Sequence, residues 1–593
     1  MIRHFARAIA IPCLLGAAAV QAGTASEVLP AALFADASAG PVANAAFAPG
    51  LDAAEAPAFE GALEIAGAPL TVEPALKARI VDGRDALRFP AITLRFLTLG
   101  QRLVPFERGV MVGERDHGER ASYWHVIPQV GRVWRERGDG EWSRAAFPLM
   151  LVNDTENHAH QGLATFLYRA GEVSALRMQF VQQTAPYLLG PHCVFTGGSA
   201  LRYTPLDAGT VATERATAER DLAARLPVRP LAELRAASPP GTLDGFGGPV
   251  LPAWQVALGL VHEGTLYLES ANTRWGAYPY PEEMRFGVRS VMKSVASPLA
   301  LLRLAELYGP EVLQETIGRW VPALDDPKWQ RIRFIDAANM ATGFGGTGSL
   351  VTAPNDINDG YLEADYDGWY TAHTNAQKIA HINANLSPYP WEPGTVVRYR
   401  DQDFYLLGVA IDAWLKAKRG PTADAWRMLE EEVFAPIGIH RAPTVRTRET
   451  PPAEGLAWFN AGYYPTLDEL AKIALLYADE GRHGDRQILH RELTRSLLAA
   501  EDALSKTGVT PPDGAAPALY RMGFHYTAFR GSKSGTLRQL PTMSGFGDNE
   551  VLIYPGRVVS LRAANAVSWE GGPVVHGADP LATVRAVDRL SPF

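Results

Sequence analysis

A serine and a lysine stand one helical turn apart at Ser290 and Lys293, within Met284-Arg-Phe-Gly-Val-Arg-Ser-Val-Met-Lys-Ser294. That spacing projects a hydroxyl and an amine from one helix face. A serine hydroxyl is a poor nucleophile at neutral pH and needs a base within hydrogen-bond reach. An amine can be that base once partial burial and neighbouring groups lower its pKa enough to leave it neutral. The chemistry on offer is attack on a carbonyl. The bare pattern is weak ground, since a chain of this length and composition contains it roughly once by chance. The rest of the chain has to raise it.

The elements around the pair give it a frame. Gln255 to Val261 and Thr265 to Glu269 read as a hairpin around a Glu263-Gly264 turn. The helix carrying Ser290 and Lys293 should end near Tyr308, because Gly309-Pro310 is a stop signal. Pro298 inside that helix predicts a kink. Thr466-Leu-Asp-Glu469 is a capping box ahead of an apolar-periodic run. Two strands close the chain around Pro555-Gly556, Glu550 to Tyr554 and Arg557 to Ala563. Strands at both ends with helices between them predict one sheet built from opposite ends of the domain.

Five segments also fall in a telling order. They are Phe286-Gly-Val-Arg-Ser-Val-Met-Lys-Ser294, Trp320-Val-Pro with Ile335-Asp-Ala-Ala-Asn-Met-Ala-Thr-Gly343, and Glu392-Pro-Gly-Thr-Val-Val-Arg-Tyr-Arg-Asp-Gln-Asp-Phe-Tyr-Leu-Leu-Gly408. Val433-Phe-Ala-Pro-Ile-Gly438 and Ile553-Tyr-Pro-Gly556 follow. In these, the chain from about Leu251 to Asn565 resembles the serine β-lactamase and penicillin-binding-protein superfamily. Its class C-like group also holds carboxylesterases and D-amino-acid amidases. The resemblance implies an α+β fold, an antiparallel sheet flanked by helices plus a helical subdomain.

It also implies roles. Ser290 would attack the carbonyl and form an acyl-enzyme, with Lys293 as its immediate base. Tyr399 would share the proton with Lys293 and later activate the deacylating water, as a phenol can if nearby cations lower its pKa from about ten. The other reading of Tyr399 is a buried ring with a satisfied hydroxyl. The backbone N–H of Ser290, at a helix start, is one oxyanion donor. By position the family's third motif falls on Met543-Ser544-Gly545, which makes the N–H of Phe546 the second donor and keeps the strand slim at Gly545.

Two departures bear on the substrate. The family's Asn after the tyrosine is Asp401, an acceptor-only carboxylate when ionised. The cation or imidazole of the third motif is Met543. With Asp401, Met543, Ser544 and Gly545 lining the substrate site, the preference shifts away from anionic ligands toward neutral or positively charged acyl compounds. Two literal matches to Lys-x-Gly are read as decoys. Lys506-Thr507-Gly508 lies beside Pro511-Pro512 in a loop-like stretch, and Lys533-Ser534-Gly535 reads as a turn.

Ahead of this half, the chain reads differently. Alternating stretches such as Leu87-Arg-Phe-Pro-Ala-Ile-Thr-Leu-Arg-Phe-Leu97 and Tyr123-Trp-His-Val-Ile-Pro-Gln-Val130 recur between glycine-rich turns. They predict a mainly-β domain over residues 55–237, a β-sandwich or similar module, turning helical around Thr213 to Ala237. Ser238-Pro-Pro-Gly opens the boundary to the hydrolase-like domain, 238–593. Residues 23–54 are rich in Ala, Gly and Pro and read as a loose arm. In Asp154-Thr-Glu-Asn-His158-Ala-His160 two imidazoles could share a metal ion on a strand, but a polar loop is the commoner cause, and no metal is assigned. Trp124, Trp134 and Trp142 fit a glycan surface or plain core packing equally well.

Composition sets the outer bounds. The 593 residues exceed one core. The net charge of −8, without a long basic run, gives no footprint for nucleic acid. Residues 1–22 read as a signal peptide: Arg3, His4 and Arg7, an apolar run from Ala8 to Val20, then Val20-Gln21-Ala22. The apolar run is too short for a permanent span. Cleavage would remove Cys13 and leave Cys193 alone, without an internal disulfide. The expectation is a periplasmic or secreted serine hydrolase that takes a small ester or amide and needs no cofactor. Two alternatives stand beside it: a penicillin-recognising peptidase or β-lactamase, and a non-catalytic binding or scaffold protein on the same fold.

Overall fold

The computed structural model describes residues 28–113, 121–155, 157–184, 192–269, 271–345, 366–450, 453–506, 518–567 and 576–593. The expected signal peptide, Glu156 and the Thr507-Gly508 pair lie outside these residues. The architecture is α+β, with two large sheets; most helices belong to the second half, while Ala208–Ala223 packs Val211 and Ala218 against Leu97 and Val104 of the first sheet.

The first half is mainly β, as expected: its sheet has 13 strands among the described residues, eleven in one path from Leu201–Pro205 to Arg88–Phe89, with His125–Pro128 and Glu172–Val173 paired off that path. At its centre lie Ser143–Val152 and Ala159–Arg169, and nearly every residue of both is buried. Alternation along a strand sends neighbours to opposite faces. In Ser143–Val152, Ala145, Phe147, Leu149 and Leu151 join the sheet's own core. Ala146, Met150 and Val152 enter the core of the second half. A sheet covered on both faces reads as a continuous apolar run, because neither side meets water.

The expected loose arm is packed. Phe34 and Phe47 are fully buried, Thr165 Oγ1 donates to Phe34 O at 2.7 Å, and Tyr280 Oη donates to Phe47 O at 2.9 Å. Two aromatic anchors and their carbonyl contacts hold what the Ala/Gly/Pro content suggested was free. The expected helical stretch is also interrupted: between the helices Ala208–Ala223 and Leu231–Ala237, the strand Val228–Pro230 pairs in parallel with Thr265–Leu268 at the edge of the second sheet.

The second sheet has nine strands and joins the two ends of its half, with Gln255–His262 antiparallel to Val558–Ala564. Its hairpin turns at Glu263 and Gly264, both with positive φ, the twist that suits a two-residue loop. Over this sheet lies the helix Val291–Tyr308, buried on every side from Val291 to Ala305. Pro298 sits within it. A proline lacks the N–H that would bond the carbonyl four residues back; here Tyr477 Oη donates to that carbonyl, Ser294 O, at 2.8 Å. The capping box at Thr466 and Glu469 opens the helix Leu467–Ala478. No helix among the described residues is long and apolar enough to cross a membrane.

Candidate active site

The nucleophile loop reaches its helix through a strained residue. Arg289 has φ +51°, a left-handed conformation that costs a non-glycine residue about 1 kcal/mol. Ser290 follows as the N-cap of Val291–Tyr308. Its N–H therefore stands at the positive end of a long buried helix. Lys293 is almost wholly enclosed, and its Nζ donates to Ser290 Oγ at 2.8 Å and to Asn460 O at 3.0 Å.

Lys293 Nζ also lies 2.6 Å from Asp401 Oδ1. Burial pushes the amine's pKa down, but the Asp401 carboxylate and Tyr399 outweigh it, and the net shift is upward. This corrects the expectation of a neutral lysine: at rest the group is an ammonium paired with Asp401. The carboxylate's other oxygen accepts from Tyr366 Oη at 2.6 Å. Asp401 begins the helix Asp401–Arg419, where the helix dipole favours an anion.

Tyr399 sits two residues earlier, within hydrogen-bond reach of both Ser290 and Lys293. Burial pushes its hydroxyl up; Lys293 opposes the shift, Asp401 adds to it, and the result is a raised pKa. The expected lowering is thus reversed, and Tyr399 rests as a phenol.

The third motif divides between two environments. Met543 is fully buried in the core. It is not among the residues that line the cleft, because its side chain is enclosed by the core packed beneath the strand Leu537–Gly545. Ser544, Gly545 and Phe546 do line the cleft. A Cβ on Gly545 would sit 2.2 Å from Val288 O and 3.3 Å from Ser290 N. Only glycine lets this strand meet the nucleophile's backbone. Lys533 to Gly535 form a turn, as expected.

These groups open onto a cavity of about 570 Å³, lined by Ser290, Tyr399, Asp401, Ser544, Gly545 and Phe546. The sequence reading missed several of its other walls. His525, on the neighbouring strand, has its ring 6.1 Å from that of Tyr399. Burial, with Lys506 and Lys293 acting the same way, holds this imidazole well below its ordinary pKa, hence neutral. Tyr366 and Tyr370 stack with centroids 5.7 Å apart, and Arg289 Nη1 donates to Tyr370 Oη at 3.1 Å. At the mouth, His576 Nε2 and Asp548 Oδ2 are 2.6 Å apart. None of these carries a local motif; only the i, i+4 spacing of the two tyrosines hinted at a shared face.

The two histidines of the first half do not line this cleft; His158 ends the expected polar loop and His160 lies on the strand Ala159–Arg169 that follows it. His158 and His160 are fully buried with ring centroids 4.3 Å apart, and Trp124 and Phe195 flank His160. Among the described residues no group of three His, Cys, Asp or Glu is placed to hold a metal ion. Trp124 and Trp134 are buried too, which favours packing over a glycan surface.

Comparison with known proteins places the chain. A family model described as Beta-lactamase matches residues 255–576, more than half of its length. The chain therefore belongs to the β-lactamase family, within the serine β-lactamase and penicillin-binding-protein superfamily. Similar solved structures include a Bacillus anthracis protein described as a 6-aminohexanoate-dimer hydrolase, at 17% identity and TM-score 0.40, covering 57% of this chain and 78% of that one. A family VIII carboxylesterase matches at 16% identity and TM-score 0.37, covering 56% and 90%. A D-stereospecific amidohydrolase from Streptomyces sp. matches at 13% identity and TM-score 0.37, covering 58% and 95%. A search of curated proteins found no match.

Proposed function

We propose that the protein is a serine hydrolase that cleaves a neutral ester or amide through an acyl-enzyme on Ser290. The observation that carries this is the 2.8 Å contact between Ser290 Oγ and Lys293 Nζ at the wall of an open cavity. Family membership supports the same class of chemistry. Ester substrates fit best. The third-motif position carries Met543, an uncharged thioether buried in the core that cannot hold a substrate carboxylate, and Asp401 is taken up by Lys293 and Tyr366.

The cycle uses two proton carriers, Lys293 and Tyr399, both within reach of Ser290. Lys293 first releases its extra proton to solvent and becomes a free amine. It then takes the Ser290 proton as Oγ attacks the carbonyl carbon, and the oxyanion settles against the N–H groups of Ser290 and Phe546. Collapse breaks the bond to the leaving group, which takes the Tyr399 proton. The resulting phenolate lies beside the Lys293 ammonium formed in the same half-reaction. In the second half the phenolate accepts a proton from water as the hydroxide attacks the acyl carbon. Ser290 Oγ leaves with the proton held by Lys293, and the free amine and phenol are restored. Each proton transfer of this kind contributes about 10²–10⁴-fold.

The test is the intact mass of the full chain after exposure to a fluorophosphonate. Ser290 Oγ displaces fluoride from phosphorus, so a single adduct is expected on the wild type and none on Ser290→Ala. An unlabelled wild type, or a labelled Ser290→Ala, would sink the reading.

A further inference from the structure

Residues of the first half meet the segment that leads into the nucleophile. Residues 284–289 run without helix or strand, so their backbone groups need partners from elsewhere. Three of those partners are side chains of the first half. Gln161 Nε2 donates to Arg285 O at 2.9 Å. Gly287 N donates to Thr184 Oγ1 at 3.0 Å. Arg289 N donates to Asn157 Oδ1 at 2.8 Å.

The contacts fall on residues 285, 287 and 289, the alternate positions of an extended segment. They are also braced against one another. Gln161 Nε2 reaches Thr184 Oγ1 at 3.2 Å, and Asn157 Nδ2 donates to Tyr463 O at 3.2 Å. All three side chains are buried. The approach is so close that a Cβ on Gly287 would lie 2.1 Å from Asn157 O. The last of the three bonds fixes Arg289, the residue whose left-handed backbone delivers Ser290 to its helix.

We infer that Asn157, Gln161 and Thr184 are positioning residues of the active site, and that the first sheet serves as the template on which the nucleophile loop is set. The inference rests on the serine-hydrolase reading for its functional consequence, while the clamp itself does not depend on turnover. Neutral amides and a hydroxyl suit this role, because they fix the backbone without adding a charge near Lys293 and Asp401. The placement of Ser290 Oγ and its N–H then depends on residues more than a hundred positions away in the chain.

The experiment uses the full chain with Thr184→Val, which keeps the shape and deletes the acceptor, and Thr184→Ser, which keeps the hydroxyl. All measurements are made where circular dichroism shows each variant folded. The fluorophosphonate rate constant should fall about tenfold or more in Thr184→Val, as small misplacements of a catalytic group do. It should return to within about threefold of the wild type in Thr184→Ser, with KM for a neutral ester steady in both. Hydrogen exchange gives a readout independent of activity: amides of residues 285–289 should exchange about tenfold faster in Thr184→Val, and those of the buried helix turn at 295–305 at the wild-type rate. Asn157→Ala frees the Arg289 amide and gives the same reading on a second contact should Thr184→Val not fold. Unchanged labelling and unchanged exchange in these variants would overturn the inference, as would equal losses in Val and Ser. A wild type that takes no label, with local loss of protection in Thr184→Val, would fault the hydrolase reading and leave the clamp standing.

Discussion

Two buried ion pairs flank the nucleophile, one five residues before it and one three residues after, and they are built for different work. Arg285 grips Glu469 with two nitrogens, at 2.8 and 2.7 Å, and also donates to Tyr464 O. Lys293 meets Asp401 at one point, donates to Ser290 Oγ and Asn460 O, and lies within hydrogen-bond reach of Tyr399. Burial pushes both cations toward neutrality, and in both the partner carboxylate outweighs it. A guanidinium in a bidentate fork holds its proton and its geometry together. An amine can give up its proton. The same electrostatic arrangement therefore yields a clamp where the cation is arginine and a poised base where it is lysine.

Deleting the working cation gives the largest effect. Lys293→Ala should lower kcat/KM for a neutral ester by about 10³-fold or more, as removal of a concerted catalytic group does, with far-ultraviolet circular dichroism unchanged. Steady-state kinetics on the purified variant decides it. Retention of a tenth of wild-type activity would show that Lys293 is not the base.

Breaking the clamp should strike stability and spare chemistry. Glu469 accepts both Arg285 bonds, a contact from Tyr463 Oη at 3.3 Å and the Thr466 amide of its capping box. Glu469→Gln leaves a guanidinium buried without its counter-charge, which costs about 3–5 kcal/mol. Urea midpoints should fall accordingly. Per folded molecule, the fluorophosphonate rate should stay within about threefold of the wild type, because Asn157 and Thr184 still hold the loop. A full loss of labelling in folded Glu469→Gln would erase the distinction between the two pairs.

How much of this was legible in the sequence follows from how local each signal is. Ser290, Lys293 and Tyr399 lie in short segments of fixed spacing, and the structure brings all three together. The capping box at Thr466 and the positive-φ turn at Glu263-Gly264 were readable for the same reason. What failed depended on contacts distant in sequence. Lys293 was expected to be neutral because the weight of the Asp401 carboxylate appears only when the two meet at 2.6 Å. Met543 was assigned to the substrate site by its position in the motif, whereas core side chains brought in from distant segments enclose it. The arm around Phe34 and Phe47 has a linker's composition, and only the carbonyl contacts of Thr165 and Tyr280 show that it is packed. His525 and Asn157 had no motif at all, since each acts from a strand or loop whose neighbour is set by the fold.

The smallest change sharpens the comparison most. Asp401→Asn is isosteric, and its amide oxygen can keep the Tyr366 bond. What it removes is the negative charge that holds Lys293 as an ammonium. With the carboxylate gone, burial becomes the dominant influence on the amine, so its pKa falls. The sign of the effect on rate follows. A base works only in its free form, so wild-type turnover should climb with pH and keep climbing past the ordinary lysine value of about 10.4. In Asp401→Asn that climb should move to lower pH. Each unit of movement gives about tenfold more free amine at any pH below both midpoints. The variant is thus expected to exceed the wild type in kcat/KM at neutral pH and to lose the advantage as pH rises. A pH–rate profile of the two proteins on one neutral ester decides it: a climb that stays in place, or moves upward, would mean that Asp401 does not set the proton affinity of Lys293.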